Sequence, residues 1–408
     1  MKLKFTYLLV LLFGLVANIK AEYLGNDIKK QNIPFTYENN LIIVKIKLNN
    51  FINANFIVDS GAEQTIITKK EIAKILGLEF SYKQSFFSAD LTTIMYASLA
   101  KNVSFKFDDF LLKDQYVFVL EEDYFDLEAI AGVPIHGILS LGHFKKWLTK
   151  IDYKKQRIEL VPFNKSKSFT KHYSKLPCKV KQNRFYLNGY IENESSDTAN
   201  VNLLIDTGSA HTLVLHNYSH PKINLPESYV KGVIGLSLGG VVEGYMGRTN
   251  LLNIDSLIFE QLPTHFQVLP HIEDLSILDG RNGFIGNYLL KKYKIIFDYK
   301  TPAVYFKKNK SKSKSKTNDY DKSGLVLFVT GKNLNNFIIK NIIENSPAEK
   351  AGILPEDRLL SINNKPTQLL SLSKINKILS SKVGKKVKLT FRRGPNRYKK
   401  KIVLKDLI

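Results

Sequence analysis

Apolar and polar residues alternate in short, strand-length pieces along most of the chain. The segments "IPFTYENNLIIVKIKL" (33–48) and "LPCKVKQNRFYLNGYI" (176–191) are typical, and such pieces are rich in Val, Ile, Phe and Tyr. This pattern predicts β-strands. Helical spacing is confined to a few stretches, among them "TKKEIAKILGL" (68–78), where Thr68 is expected to cap the helix.

The same order of features occurs twice. A strand ending in Asp-hydroxyl-Gly appears as "NFIVDSGAEQTIIT" (55–68) and again as "NLLIDTGSAHTLVL" (202–215). The later segment "GILSLGHFKKWLTKIDY" (137–153) is matched by "GFIGNYLLKKYKIIFDY" (283–299). Repeats in one order at nearly one spacing predict a duplicated β unit.

We therefore predict a mainly β protein with two duplicated, β-barrel-like lobes and a small α+β domain at the carboxy terminus. At 408 residues the chain is long enough for several cores. The predicted boundaries are a signal peptide at 1–21, lobe one at 22–163, lobe two at 164–306, a Lys/Ser linker at 307–322 and the last domain at 323–408.

The first 21 residues have the pattern of a secretory signal. Lys2 and Lys4 precede the apolar stretch from Leu8 to Val16, and Ala21 offers a small residue for cleavage. An uncleaved membrane anchor is the alternative. Cys178 is the only cysteine, so no internal disulfide is possible, and we expect an exported, periplasmic or extracellular protein of a bacterial envelope.

The paired motifs carry a family resemblance. "DSGA" (59–62) and "DTGS" (206–209) are each followed by an apolar segment with glycine, "ILSLG" (138–142) and "FIG" (284–286). Over residues 22–306 the chain resembles the pepsin and retropepsin-like aspartic proteases, in which each lobe gives one Asp-Thr/Ser-Gly loop to a shared site. A single such motif is ordinary turn chemistry, whereas two within matching repeats favour a site.

The resemblance implies that Asp59 and Asp206 form a catalytic dyad. Two carboxyl groups in close contact cannot both ionise cheaply, so they share a proton and supply both a base and an acid. The pair would activate water for peptide-bond hydrolysis, with no cofactor. No metal-ligand spacing such as His-Glu-x-x-His is present.

The neighbouring residues have expected supporting roles. Gly61 and Gly208 would let backbone N–H groups approach the carboxylates. By resemblance, Ser60 and Thr207 would bond across the lobe interface. Ser209 would donate to its own aspartate, which Ala62 cannot do, so we expect Asp206 to be the more readily ionised partner.

A flap over the site is a further expectation. Tyr96 lies 37 residues beyond Asp59 and is the candidate flap tyrosine, and Tyr245 lies 39 residues beyond Asp206. The alternative is that both tyrosines are strand residues packed on their own lobes.

Residues 323–408 resemble a PDZ domain. "NSPAEKAGILPEDRLLSINN" (345–364) carries the resemblance, although Glu356 and Asn364 stand where glycine is usual. The resemblance implies that a protein carboxy terminus binds to a sheet edge, with Gly324 and Leu325 as the candidate carboxylate loop. The alternative is a module that only packs on the protease.

Positive charge is concentrated in the same region. The net charge is +23, and residues 323–408 contain 18 Lys and Arg against five Asp and Glu. Such a tail favours an acidic ligand or an anionic envelope surface, or else is plain solvated surface. Export argues against nucleic acid as the partner.

We therefore predict an aspartic endopeptidase that acts on polypeptide substrates and whose PDZ module recruits a protein substrate or partner. The alternative is a catalytically inactive envelope scaffold that binds peptides through its PDZ domain.

Overall fold

The computed structural model describes residues 29–87, 94–237, 240–268, 278, 280–310 and 320–408. The predicted signal peptide and most of the predicted Lys/Ser linker lie outside these residues. Within the described residues, no helix has both the length and the apolar character that crossing a bilayer requires.

Lobe one contains eleven described strands. A six-stranded barrel closes through the order β3-β4-β9-β5-β8-β7, because β3 also pairs with β7. The strands are β1 Gln31–Pro34, β2 Thr36–Glu38, β3 Leu41–Leu48, β4 Ile52–Asp59, β5 Ile66–Ile67, β6 Phe80–Phe87, β7 Ile94–Phe107, β8 Phe110–Leu120, β9 Gly137–Ser140, β10 Leu148–Asp152 and β11 Arg157–Val161. The helices are α1 Lys70–Ile75, α2 Leu127–Ala131 and the 3₁₀ turns η1 Leu141–Phe144 and η2 Phe163–Lys165.

Lobe two repeats this plan. Its barrel closes through β14-β15-β20-β16-β19-β18, with β14 pairing β18. After the connecting helix α3 Ser166–Thr170, the strands are β12 Ser174–Pro177, β13 Lys179–Lys181, β14 Arg184–Glu192, β15 Thr198–Asp206, β16 Leu213–His216, β17 Val230–Ser237, β18 Gly240–Ile254, β19 Leu257–Gln267, β20 Gly283–Gly286, β21 Tyr293–Asp298 and β22 Ala303–Lys308, with helix α4 Asn287–Leu290 after β20.

A third sheet joins the lobes. Its order is β1-β11-β10-β21-β22-β12, so three strands from lobe one and three from lobe two form one continuous sheet. At its centre β10 pairs antiparallel with β21, and Ile151 lies opposite Ile295. Buried residues of both lobes form one continuous hydrophobic core, which fixes the two barrels relative to each other.

The carboxy-terminal module has a separate core and a sheet in the order β23-β24-β25-β27-β28. Ser346 and Ser371 cap its two helices through their hydroxyl oxygens. The elements are β23 Leu325–Thr330, β24 Asn336–Ile342, α5 Pro347–Lys350, β25 Arg358–Ile362, β26 Lys365–Pro366, η3 Thr367–Leu369, α6 Leu372–Leu379, β27 Lys386–Arg393 and β28 Asn396–Val403.

The predicted fold class, two duplicated barrels with a small α+β domain, is confirmed. Local details differ from the predictions. Thr68 does not cap α1, since Lys69 occupies the cap position without a side-chain bond and Thr68 is buried. Strand β22 runs on to Lys308, inside the segment predicted as linker. Glu356 and Asn364 both adopt positive φ, the conformation that explains the usual glycines.

Candidate active site

Asp59 and Asp206 end equivalent strands. β4 runs parallel to β9, with Asp59 beside Ser140, and β15 runs parallel to β20, with Asp206 beside Gly286. The apolar residues before each aspartate are buried, so each strand is anchored in its barrel up to the point where the acid emerges. Both aspartates stay partly exposed to solvent at the junction of the lobes.

The two carboxyl groups meet and are hydrogen-bonded to each other. Asp59 Oδ1 accepts from Gly61 N (2.6 Å) and Ala62 N (3.1 Å), while Asp206 Oδ1 accepts from Gly208 N (2.8 Å). The structure therefore brings both predicted carboxylates and both predicted glycines into one constellation.

Burial raises the pKa of both carboxyl groups. The charge of Asp59 adds to burial in raising the pKa of Asp206 well above its ordinary range, and backbone N–H groups oppose the rise in pKa at both aspartates. The arrangement favours one proton shared by the two carboxyl groups. Because the two groups titrate together, the expectation that Asp206 is the more readily ionised partner stays a prediction.

Hydroxyl groups bridge the two loops. Ser60 N donates to Thr207 Oγ1 (2.9 Å) and Thr207 N donates to Ser60 Oγ (3.0 Å). The hydroxyls in turn donate across the interface, Ser60 Oγ to Ile205 O (2.6 Å) and Thr207 Oγ1 to Val58 O (2.8 Å). Both side chains are fully buried, so these four bonds fix the relative position of the two loops.

Gly61 and Gly208 differ in the space that each would leave for a Cβ atom beside the aspartate of the other lobe. A Cβ atom on Gly208 would lie 2.4 Å from Asp59 Cγ, whereas a Cβ atom on Gly61 would lie 3.1 Å from Asp206 Cγ. The carboxylate of each lobe thus lies against the glycine of the other, and Gly208 is the closer of the two contacts.

Ser209 acts differently from the prediction. Its hydroxyl accepts a hydrogen bond from His211 N (3.3 Å), and its bond to Asp206 comes from the backbone N–H. Ala62 gives Asp59 the same kind of backbone bond. The difference between the two side chains therefore does not reach the carboxylates.

Gly142 ends the segment "ILSLG" and Gly286 ends the segment "FIG", but the strand register does not place these two glycines at equivalent positions. The residue beside Asp59 is Ser140, and the residue beside Asp206 is Gly286. Ser140 Oγ donates to Ala62 O (2.7 Å) and accepts from Gly142 N (3.1 Å). Aligning the repeats on strand register instead of on glycines would have identified Ser140.

Asn287 is a supporting residue that the sequence patterns did not single out. It is fully buried, its Nδ2 donates to Thr207 O (2.5 Å), and its Oδ1 accepts from Tyr153 Oη (2.6 Å). Tyr153 belongs to lobe one, so this chain of bonds reaches the Thr207 loop from the opposite lobe. The position directly after the "FIG" segment is the one sequence signal that could have marked it.

Tyr96 lies on β7 in the β6–β7 hairpin, opposite Ser85. Its neighbours Met95 and Ala97 point to the other face and pack in a cluster that includes Ala62. The Tyr96 ring is 45% exposed and has Lys83 Nζ 4.9 Å from its centroid. The structure therefore does not bring this side chain towards the dyad loop.

The predicted carboxylate loop of the last domain is occupied from within. Gly324 N donates to Asp321 Oδ1 (2.7 Å) and Leu325 N donates to Ser323 Oγ (3.2 Å). Gly324 has positive φ, and a Cβ atom there would lie 2.1 Å from Ser346 Cβ. Among the described residues, no group of three or more His, Cys, Asp or Glu is placed to hold a metal ion.

Comparison with known proteins identifies one module. Residues 338–393 match the PDZ domain family, so the carboxy-terminal module is a PDZ domain. Basic 7S globulin from soybean aligns with a TM-score of 0.40 and 11% identity over 69% of this chain and 95% of that one. Conglutin gamma from lupine seeds gives 0.41 and 13% over the same shares. No curated protein matches the chain.

Proposed function

We propose that this protein is an aspartic endopeptidase. The observation that carries the proposal is the hydrogen-bonded pair of Asp59 and Asp206, held by reciprocal Ser60–Thr207 bonds across two duplicated barrels. Paired carboxyl groups with raised pKa values that stay partly exposed to solvent are suited to acid–base chemistry.

We propose different roles for the two carboxyl groups, based on the two backbone N–H groups that reach Asp59 Oδ1. Asp59, stabilised as an anion by the N–H groups of Gly61 and Ala62, takes a proton from water that attacks the peptide carbonyl. Asp206 carries the shared proton and donates it to the amide nitrogen, so that the C–N bond breaks and the leaving amine departs neutral while the hydroxyl from water stays on the carbonyl carbon. After both transfers the proton is on the other carboxyl group, and the resting state returns by exchange with water.

Substitution of each aspartate tests the proposal. We expect Asp59→Asn and Asp206→Asn each to abolish cleavage of an unfolded polypeptide, and a pepstatin-like inhibitor to block the parent protein. Asp255→Asn, at the exposed turn between β18 and β19, is the matched control and should cleave at the parent rate. If the folded parent cleaves no member of a peptide library between about pH 3 and 8, the inactive-scaffold alternative holds.

We also propose an exported protein whose PDZ domain faces an anionic envelope surface. The outer face of the β27–β28 hairpin supports this. Lys388 lies directly opposite Lys401, and Arg392 opposite Arg397. Like charges in direct register cost stability, and an external anionic partner would offset this repulsion.

Vesicle binding tests this surface. The full chain should bind vesicles containing phosphatidylglycerol and should not bind neutral phosphatidylcholine vesicles, with affinity falling as salt rises. Lys388→Glu with Lys401→Glu should weaken binding at least tenfold, whereas Lys332→Glu, in the turn after β23, should change it little. Equal binding to both kinds of vesicle, or equal loss in both variants, would exclude the surface. Tighter binding to DNA than to vesicles would instead point to nucleic acid.

A further inference from the structure

The groove of the PDZ domain lies between strand β23 and helix α6. β23 is an edge strand of its sheet, with β24 on one side. Extended peptides bind PDZ domains by adding to this edge. The residues that form the apolar floor are buried in one cluster: Leu325, Leu327, Val329, Leu372, Ile375 and Leu379.

A segment of lobe one fills this groove. Helix α2 lies alongside β23, and the Gly132 that ends α2 packs on the first residue of α6. The contact is so close that a Cβ atom on Gly132 would lie 2.8 Å from Leu372 Cβ. We refer to residues 127–132 as the α2 plug.

A polar clamp holds the plug against α6. Asn39 Nδ2 donates to Ile130 O (2.6 Å), and Asn39 Oδ1 accepts from Asn376 Nδ2 (2.8 Å). One lobe-one side chain thus ties the plug to the groove-lining helix. Lobe two also touches the domain, since Arg248 pairs with Asp406 (3.3 Å) and Gly232 lies against Ile343.

The carboxylate end of the groove is occupied as well. Asp321 Oδ1 accepts from Ser323 N (2.8 Å) and Gly324 N (2.7 Å), so an internal carboxylate takes the Gly324 N–H predicted to hold a ligand's terminal carboxylate. Asp321 Oδ2 is buried without a hydrogen-bond partner. This contact is independent of the plug, yet it closes the same groove.

The plug leaves one class of interaction unused. Within the described ranges, no backbone hydrogen bond joins α2 to β23. A peptide in extended conformation makes such ladder bonds, which a helix cannot make. An extended ligand therefore has a specific advantage over the plug at the same edge.

We propose that the α2 plug is an internal ligand of the PDZ groove, which an extended peptide with a free terminal carboxylate and an apolar last residue must displace. The inference rests on the peptide-binding role of the PDZ domain in the proposed function. Displacement separates the domain from lobe one. The apparent affinity of the peptide is therefore reduced by the stability of the plugged state.

Helix α2 also packs in clusters next to the aspartate loops. Leu127, the first residue of the plug, packs against the cluster beside Ala62 and against the cluster beside Ala210. These alanines follow Asp59 and Asp206 by three and four residues. The same helix thus lies at the PDZ groove and packs in the two clusters that also contain Ala62 and Ala210.

Opening the clamp tests the proposal. The parent for binding carries Asp206→Asn, so that peptides stay intact. Asn376→Asp places a carboxylate against Asn39 Oδ1 and should release the plug. Asn396→Asp, at the turn between β27 and β28, adds the same charge away from the plug. The probes are fluorescein-labelled decapeptides ending in Val, Leu, Ile or Phe, each as free acid and as amide.

We expect Asn376→Asp to bind at least one free-acid probe tenfold or more tightly than the parent, and Asn396→Asp to match the parent. Amide probes should bind to none. Cysteines at Asn39 and Asn376, joined by a short dithiol-reactive linker, should abolish binding. The proposal is overturned if the parent binds as tightly as Asn376→Asp, if neither binds, or if the linked protein still binds.

Hydrogen exchange gives a second measurement that does not depend on the probe. Asn376→Asp should accelerate exchange at both the plug and β23, whereas Asn396→Asp should leave both unchanged; unchanged exchange in Asn376→Asp would contradict release. Cleavage is measured separately with both aspartates intact. An inactive protease that still shows these binding differences would therefore disprove the proposed enzyme without disproving the plug.

Discussion

The two lobes build the same aspartate loop, but the supporting hydroxyl comes from strand β9 in lobe one and from the aspartate loop itself in lobe two. In lobe one the hydroxyl belongs to Ser140, with Ala62 opposite. In lobe two it belongs to Ser209, with Gly286 opposite, where a Cβ atom would lie 2.9 Å from Ser209 Oγ. Each aspartate loop therefore has one supporting hydroxyl beside it, from Ser140 in lobe one and from Ser209 in lobe two.

A second difference concerns what lies behind the loops. Asn287 connects the Thr207 loop to Tyr153 of lobe one, while the lobe-one position in the same register is the apolar Leu141. The four hydroxyl bonds that bridge the loops are thus the same in both lobes, whereas the residues behind the loops differ.

The glycine pair gives the largest expected difference. Gly208→Ala forces a methyl group to 2.4 Å from Asp59 Cγ and should lower kcat/KM at least 1,000-fold, since the dyad must separate. Gly61→Ala meets Asp206 Cγ at 3.1 Å and should lower it about tenfold. Peptide cleavage kinetics measure both, with circular dichroism to verify folding. Equal losses would show that the unequal clearance is unimportant.

The pH profile tests whether the two carboxyl groups share a proton. Because burial and the Asp59 charge raise the pKa of Asp206, kcat/KM should fall as pH rises through that raised pKa and the shared proton is lost. The folded state also holds the proton more tightly than the unfolded chain, so this group makes the protein less stable as pH rises between the two pKa values. A rate that increases steadily to pH 9, with fluorescence of the single tryptophan Trp147 unchanged, would contradict this assignment.

The bridging hydroxyls should be equivalent between lobes. Ser60→Ala and Thr207→Ala each remove one acceptor and one donor from buried backbone partners, at a cost of about 2–4 kcal/mol in the free energy of unfolding. Thr207→Ser keeps the bonds and is the control, with an expected loss of about 1 kcal/mol. Urea denaturation compares them. If the two alanine variants differ by more than about 2 kcal/mol, the bridge is not symmetric.

The smallest expected effect comes from moving the supporting hydroxyl of lobe one from Ser140 to position 62. This change tests directly whether the two lobes differ only in where that hydroxyl is placed. Ser140→Gly should cost about 1–2 kcal/mol in unfolding free energy, because the bonds to Ala62 O and Gly142 N are lost. Adding Ala62→Ser recreates the lobe-two arrangement and should recover about half of that loss. Denaturation of the two single variants and the double variant measures the coupling; strict additivity would contradict it.

Sequence patterns predicted the barrels, the PDZ domain and the meeting of Asp59 with Asp206, because duplication and strand periodicity can be recognised in one sequence. Ser140 was missed since glycine was used as the anchor of the repeat, although strand register determines which residue lies beside the aspartate. The Tyr96 orientation depends on alternation along β7, which a count of residues from Asp59 does not fix. The plug depends on contacts between Asn39 and Asn376, 337 residues apart, and no local pattern encodes them.

The sheet shared by the lobes has a consequence for synthesis. Its central pairing joins Ile151 to Ile295, so about a third of the chain separates the two strands. Loop closure over such a distance is slow compared with local hairpin formation. A ribosome that has released only lobe one has produced Asp59 without Asp206, and the pair forms only once lobe two has emerged. The proposed hydrolytic centre is therefore incomplete while lobe two is still being synthesised.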